Sequence, residues 1–195
     1  MKLRGLYALT PEAPDVERKV RLALEGGVAL LQYRSKARNR AQAAAVVRLA
    51  KDFGVPVIIN DDVELALELD ADGAHLGRDD GDLSAARQRL GGRMLGASCY
   101  NQLELAHAAV RAGADYVAFG SVFASPTKPH AVRAPLDLFA KARSLGVPLA
   151  AIGGITLAKA PSLIAAGAEL LAVISDLFDA PDIRSRAREY AKLFA

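Results

Sequence analysis

Two acidic pairs carry the first chemical signal in the chain. Asp61 and Asp62 end the stretch "VIINDD", and Asp79 and Asp80 end "AHLGRDD". In each case a short apolar run of the kind that fills a buried strand stops at carboxylates. Buried charge is costly unless it is paired, hydrogen-bonded or bound to a metal. Asp61 closes the third such run and Asp80 follows the fourth. Neighbouring strands lie ~4.8 Å apart, so the two carboxylates can face a common point. Two like charges that close repel unless something positive lies between them. Mg²⁺ is the natural candidate, because it prefers oxygen ligands and binds through one or two carboxylates plus substrate phosphates. Asp62 and Asp82 are placed to cap the helices that follow, which leaves Asp61 and Asp80 free.

Cations gather on the same side. Arg34 and Lys36 follow the second apolar run. Lys128 sits in "SPTKP", where flanking prolines hold the chain extended and stiff. Three cations beside a divalent-metal site make a clamp for a diphosphate. A separate signal is "AIGGIT", in which Gly153 and Gly154 let the backbone approach a ligand closely. With Ile174 and Ser175 at the end of the last apolar run, this stretch makes a second phosphate pocket.

These residues need elements to position them. Helix-period segments alternate with short apolar runs, and parts of the rhythm repeat. "LAKDFGVPVIIND" echoes "FAKARSLGVPLAAIGG", and "AVRAGADYVAFGS" echoes "LIAAGAELLAVIS". The spacing predicts strands near 5–10, 29–34, 56–61, 73–77, 94–99, 116–123, 148–153 and 170–175. It predicts helices near 15–26, 38–53, 62–69, 83–90, 101–112, 135–145, 156–166 and 181–194. The strands do not alternate cleanly, as expected of a parallel sheet buried on both faces. Eight βα units imply an α/β fold in which one compact domain, 1–195, closes into a (β/α)₈ TIM barrel. An open doubly wound sheet is the alternative, and no G-x-G-x-x-G after the first strand supports it. In a barrel the site lies at the C-terminal strand ends. The polar residues gather there, while the opposite ends are mostly Gly, Val, Pro and Ala.

Composition narrows the classes of function. The chain has 195 residues, 52% of them hydrophobic, and a net charge of +3. No basic block interleaved with aromatics suggests nucleic-acid binding. No apolar run approaches the ~20 residues of a membrane span, and the N-terminal stretch lacks the apolar core of a signal peptide. The single cysteine, Cys99, excludes an internal disulfide and fits a reducing, cytoplasmic setting. No activating base accompanies it, so an inert buried thiol is expected. His75 is expected to be a hydrogen-bonded core residue, His107 an exposed one, and His130 a loop residue within reach of phosphate. No His/Cys spacing suggests zinc.

The stretches "LYALT", "LLQYRSK", "VIINDDVELAL", "ADGAHLGRDD", "LGASCYN", "ADYVAFGSVFASPTKP", "AIGGIT" and "LAVIS", in this order, resemble the thiamine phosphate synthase family from end to end. The resemblance implies a transferase of thiamine biosynthesis. The family's reaction joins 4-amino-2-methyl-5-hydroxymethylpyrimidine diphosphate to a thiazole phosphate and releases pyrophosphate. It implies a pyrimidine diphosphate site from Gln32, Tyr33, Arg34, Ser35, Lys36, Asn60, Ser98 and Lys128, with Arg34, Lys36, Ser98 and Lys128 as the catalytic set. It implies one Mg²⁺ per subunit on Asp61 and Asp80. It also implies a thiazole phosphate site from Ser125, Pro126, Thr127, Gly154, Ile174 and Ser175. Small phosphorylated molecules are then the partners, with a homo-oligomer possible and neither nucleic acid nor membrane involved. The chain departs from the family at Arg78, where Gln is usual, and at Ser125, where Thr is common. Rival readings are a thiazole tautomerase-like relative, a different phosphate-binding barrel enzyme, and a barrel that binds thiamine precursors without turnover.

Overall fold

Successive side chains of a strand point to opposite faces, and here both faces are covered. The computed structural model describes residues 3–37, 39–124 and 132–195. Eight strands, β1 (Gly5–Leu9), β2 (Leu30–Tyr33), β3 (Val57–Asn60), β4 (Gly73–Leu76), β5 (Met94–Tyr100), β6 (Tyr116–Gly120), β7 (Leu149–Ile152) and β8 (Leu170–Val173), close into one parallel barrel in sequence order. β1 pairs with both β2 and β8, which closes the ring. One set of side chains fills the interior, including Tyr7, Leu30, Ile58, Tyr116, Ala150 and Leu170. The alternate set, including Leu6, Leu31, Ile59, Val117 and Leu171, packs outward under the helices. Apolar residues on both faces explain why the strands read as runs and not as alternations.

The helices follow the strands as α1 (Val16–Gly26), α2 (Arg40–Asp52), α3 (Val63–Glu68), α4 (Leu83–Leu90), α5 (Leu103–Arg111), α6 (Asp137–Ala142), α7 (Ala160–Ala166), α8 (Ser175–Phe178) and α9 (Ile183–Lys192). A single 3₁₀ turn, Arg143–Leu145, extends α6. In α1 the buried residues Val16, Val20, Ala23 and Leu24 form one stripe, the pattern of an amphipathic helix. Gly167 ends α7 at φ 116°, a left-handed cap that sends the chain into β8. Among the described residues no helix is long and apolar enough to cross a membrane.

Two strands stop two or more residues earlier than the spacing predicts. β6 ends at Gly120, although the N–H groups of Val122 and Phe123 still donate to the carbonyls of Ile152 and Gly153, each at 3.0 Å. β8 ends at Val173, its last pairing being with Ala8. Beyond that point β7 has already turned away at Gly153, and the chain coils into α8, an element the hydrophobic pattern does not signal.

Outside the barrel, Phe139 of α6 meets Phe119 of β6 edge to face, centroids 5.6 Å apart, and both rings are fully buried. Phe139→Ala should cost about 3–5 kcal/mol by opening a cavity the neighbours cannot close. Urea unfolding measures it, and a loss under about 1 kcal/mol would contradict this packing.

Candidate active site

A cleft of about 1370 Å³ opens over the C-terminal ends of the strands. Of the residues singled out in the sequence, Gln32, Arg34, Asn60, Asp61, Asp80, Ser98, Gly154, Ile174 and Ser175 line it. Ser125, Pro126, Thr127, Lys128 and His130 lie outside the described residues.

The acidic corner is built by the backbone. The Asp61 N–H donates to the carbonyl of His75 at 2.8 Å, which continues the β3–β4 ladder by one bond. Asp61 then adopts φ 62°, a left-handed conformation uncommon outside glycine, though Asp tolerates it better than most. Asp62 caps α3 by accepting from the Leu65 N–H at 2.8 Å, and Asp82 caps α4 by accepting from the Ala85 N–H at 2.8 Å. The two capping acids are thus those expected. Asp80 accepts from the Gly77 N–H at 2.7 Å, which closes its loop. Burial, first, and then the hydrogen bond and charge of Asp80 push the Asp61 carboxyl up to about 6, while Arg34 and Asn60 oppose the rise. Among the described residues no group of three or more His, Cys, Asp or Glu could hold a metal ion. Two carboxylates in contact, with oxygen donors alone, fit a hard cation that takes its remaining ligands from water and substrate phosphates.

The cationic loop after β2 is held from β1. Arg34 donates its N–H to the Thr10 hydroxyl at 2.8 Å, and that hydroxyl donates to the Arg34 carbonyl at 3.0 Å. Glu12 accepts from the Lys36 N–H at 2.5 Å and from the Ser35 hydroxyl at 3.5 Å. Neither Thr10 nor Glu12 stood out in the sequence, because a lone Thr and Glu after a strand carry no signature. Ser35 and Lys36 face a smaller recess of about 260 Å³ that shares Asn60 and Asp61 with the main cleft. Tyr33 lines the same recess. Its ring lies in the outer core, and its hydroxyl lies 3.0 Å from both the Asn39 carbonyl oxygen and Gln42 Oε1, which share its one proton. The alternation of β2 explains this, since Gln32 turns inward and its neighbour must turn out.

On the far side, Gly153 and Gly154 have φ 106° and 63°. A Cβ on Gly153 would lie 2.2 Å from Ser121 Oγ, and one on Gly154 would lie 2.3 Å from the Ala124 carbonyl oxygen. The glycines thus let the β7–α7 loop nest against the β6–α6 loop. Asp176 fastens the same region: its Oδ2 accepts from the Leu157 N–H at 3.2 Å, Arg186 at 2.8 Å and the Tyr190 hydroxyl at 2.7 Å. Lys159 lies over the Phe123 ring, 4.9 Å from its centroid, at the cleft edge.

A polar chain crosses the barrel below the cleft. Gln32 Nε2 donates to the Tyr7 hydroxyl at 2.6 Å, and that hydroxyl lies 2.7 Å from the Tyr116 hydroxyl. Tyr116 lies 2.9 Å from His75 Nδ1, and His75 Nε2 lies 2.8 Å from Ser98 Oγ. His75 is the hydrogen-bonded core residue its position in a strand suggests. Tyr7 and Tyr116 escaped notice because, in a buried strand, they read as ordinary aromatic core.

The model of the family described as thiamine monophosphate synthase matches residues 6–177. A thiamine-phosphate synthase of Aromatoleum aromaticum is 59% identical over 202 residues, covering 99% of this chain and 97% of that protein. One from Methylobacillus flagellatus is 54% identical, covering 98% of this chain and 96% of that protein. Among solved structures, a thiamine phosphate pyrophosphorylase from Pyrococcus furiosus superposes with a TM-score of 0.87 at 32% identity, covering 98% of this chain and 96% of that one.

The acid pair should leave a signature in stability. The folded-state pKa of Asp61, about 6, lies above its ordinary 3.8, so the folded chain holds this proton more tightly than the unfolded chain. Without metal, stability is therefore highest below about pH 4 on this account, falls as pH rises through 6, and stays lower above it. Asp61→Asn removes the repulsion. In EDTA at pH 8 the variant should be more stable than the parent by about 1 kcal/mol, a value reduced for solvent screening. Equal denaturation midpoints at pH 8 would show that the pair is not under strain.

Proposed function

This chain belongs to the thiamine monophosphate synthase family, and from that membership we propose its reaction in detail. It joins 4-amino-2-methyl-5-hydroxymethylpyrimidine diphosphate to a thiazole phosphate, giving thiamine phosphate and pyrophosphate. The observation that carries this reading is the contact of Asp61 with Asp80 beside Arg34, at one end of a cleft whose other end is the Gly153–Gly154 loop. Two phosphorylated substrates call for two anion-binding regions, and we assign one to each end of the cleft.

The chemistry needs a stabilised leaving group more than a nucleophile on the protein. The bond between the pyrimidine methylene carbon and the diphosphate oxygen breaks, and its electron pair leaves with pyrophosphate. The pyrimidine amino group supports the resulting benzylic-type cation. The thiazole nitrogen then donates its lone pair to the methylene carbon and forms the new C–N bond. Asp61 and Asp80 would hold one Mg²⁺, which when bound supplies positive charge to the departing diphosphate. Arg34 and Lys36, on a loop fixed by Thr10 and Glu12, add charge that needs no reorganisation as the anion leaves. Lys128 is assigned to the same clamp. Gln32, Asn60 and Ser98 hold the pyrimidine ring. Gly154, Ile174 and Ser175, with Ser125 to Thr127, receive the thiazole phosphate. Ordering both rings in one cleft supplies proximity. The lone, buried Cys99 is in keeping with a cytoplasmic setting.

A tautomerase-like relative would use the glycine side of the cleft but has no need of the acid pair. A precursor-binding barrel would bind both ligands without turnover. The decisive experiment supplies both phosphorylated precursors with Mg²⁺ and follows pyrophosphate and thiamine phosphate together. Equimolar appearance is expected, and binding without product would leave only the ligand-binding reading. Asp61→Ala should lower kcat by about 100-fold or more with the fold intact. Near-parent turnover in that variant would remove Asp61 from the metal site.

A further inference from the structure

The polar chain beneath the cleft has a direction, and the direction follows from counting protons. Each phenol has one proton to give, and each buried hydroxyl must give it to an acceptor. The Tyr7 oxygen already receives a proton from Gln32 Nε2, which cannot accept one in return. Among the described residues the remaining partner of Tyr7 is Tyr116, so Tyr7 donates to Tyr116. Tyr116 must then donate to His75 Nδ1. That fixes the neutral imidazole with its proton on Nε2, donating to Ser98 Oγ. Ser98, receiving from within, has its own proton free for the cleft it lines. At the other end, no protein partner is recorded for Gln32 Oε1 among the described residues, and Gln32 also lines the cleft.

The barrel is shaped to hold this chain. His75, Gly96 and Tyr116 lie side by side in register on β4, β5 and β6. A Cβ on Gly96 would sit 2.2 Å from Tyr116 Cζ and 2.5 Å from His75 Nδ1. Only a residue without a side chain lets the two flanking groups meet over β5. Tyr7 and Tyr116 stay protonated, since burial drives both phenols well above their ordinary value.

We propose that Tyr7, Tyr116 and His75 are positioning residues that act through Ser98 and Gln32, compelling Ser98 to offer a proton and Gln32 a carbonyl oxygen, so that the cleft selects a ring with an amino group beside an unprotonated ring nitrogen. An analogue with an oxo group in place of the amino group carries a proton on that ring nitrogen. It would set acceptor against acceptor at Gln32 and would force the Ser98 proton away from the ring. Were the Gln32 amide reversed, every link would reverse. His75 would then carry its proton on Nδ1, and the preference would invert.

This inference rests on the pyrimidine-site reading above, but its first test does not depend on turnover. ¹⁵N spectra of the histidine-labelled full chain at pH 7.5, with His75 assigned by the loss of its signals in His75→Gln, report which ring nitrogen is protonated. A protonated Nε2 with a bare Nδ1 is expected, and an Nδ1–H tautomer or an imidazolium overturns the proposal. The second test is kinetic. Tyr116→Phe removes the donor to His75 while keeping the ring. It should raise KM for the aminopyrimidine diphosphate about tenfold, leave KM for the thiazole phosphate unchanged, and shrink the preference for the amino over the oxo compound. Tyr7→Phe cuts the chain one link earlier and should do the same, which guards against poor folding of the first variant. Both KM values moving together, or an unchanged amino-to-oxo preference in folded variants, would reduce these residues to packing. A parent protein that makes no thiamine phosphate yet shows the Nε2–H tautomer would sink the reaction while leaving the proton direction standing.

Discussion

A closed barrel of eight strands denies water to its own interior. Every polar side chain pointing inward must therefore be satisfied by another one or by something bound above it, because an unpaired polar group there costs ~1–3 kcal/mol. The lower interior meets this demand with Leu30, Ile58, Ala150 and Leu170, which ask for nothing. One layer higher the side chains become Gln32, His75 and Ser98, and these are tied through Tyr7 and Tyr116 into a single file of hydrogen bonds. No buried side-chain nitrogen or oxygen lacks a partner among the described residues. The floor of the cleft is thus hydrogen-bonded within the protein before any ligand arrives, as a site built to discriminate requires.

The acidic corner follows the opposite logic. Asp61 occupies an unfavourable backbone conformation and sits against a like charge. A left-handed non-glycine residue and a like-charge neighbour are each unfavourable in general. Such local strain persists where the surroundings over-determine it, and it clusters at sites that bind or react. The neighbouring Asp62 is the useful contrast: one residue along, the same side chain caps α3 in the usual way.

Much of this was open to reading before any coordinates. Apolar runs spaced by helical stretches announced eight βα units, and the acids and glycines at the ends of those runs marked the rim that carries the cleft. What escaped had physical causes. Tyr33 sits within "LLQYRSK", but strand alternation turns it outward beside the inward Gln32, so it borders the Ser35–Lys36 recess and not the main cleft. Thr10 and Glu12 matter through contacts more than 20 residues away in the chain, which no local pattern records. Gly96 reads as a weak point in a strand, and only the register reveals that it separates two side chains that need to touch. The short helix α8 is four residues long, too brief for its periodicity to be seen.

The Asp176 carboxylate has a further consequence. A single oxygen joins the loop after β7 to two positions on α9, one turn apart. The last helix of the chain is thereby hydrogen-bonded to a loop at the mouth of the cleft. Losing that one carboxylate would cut α9 and the β7–α7 loop apart in a single step.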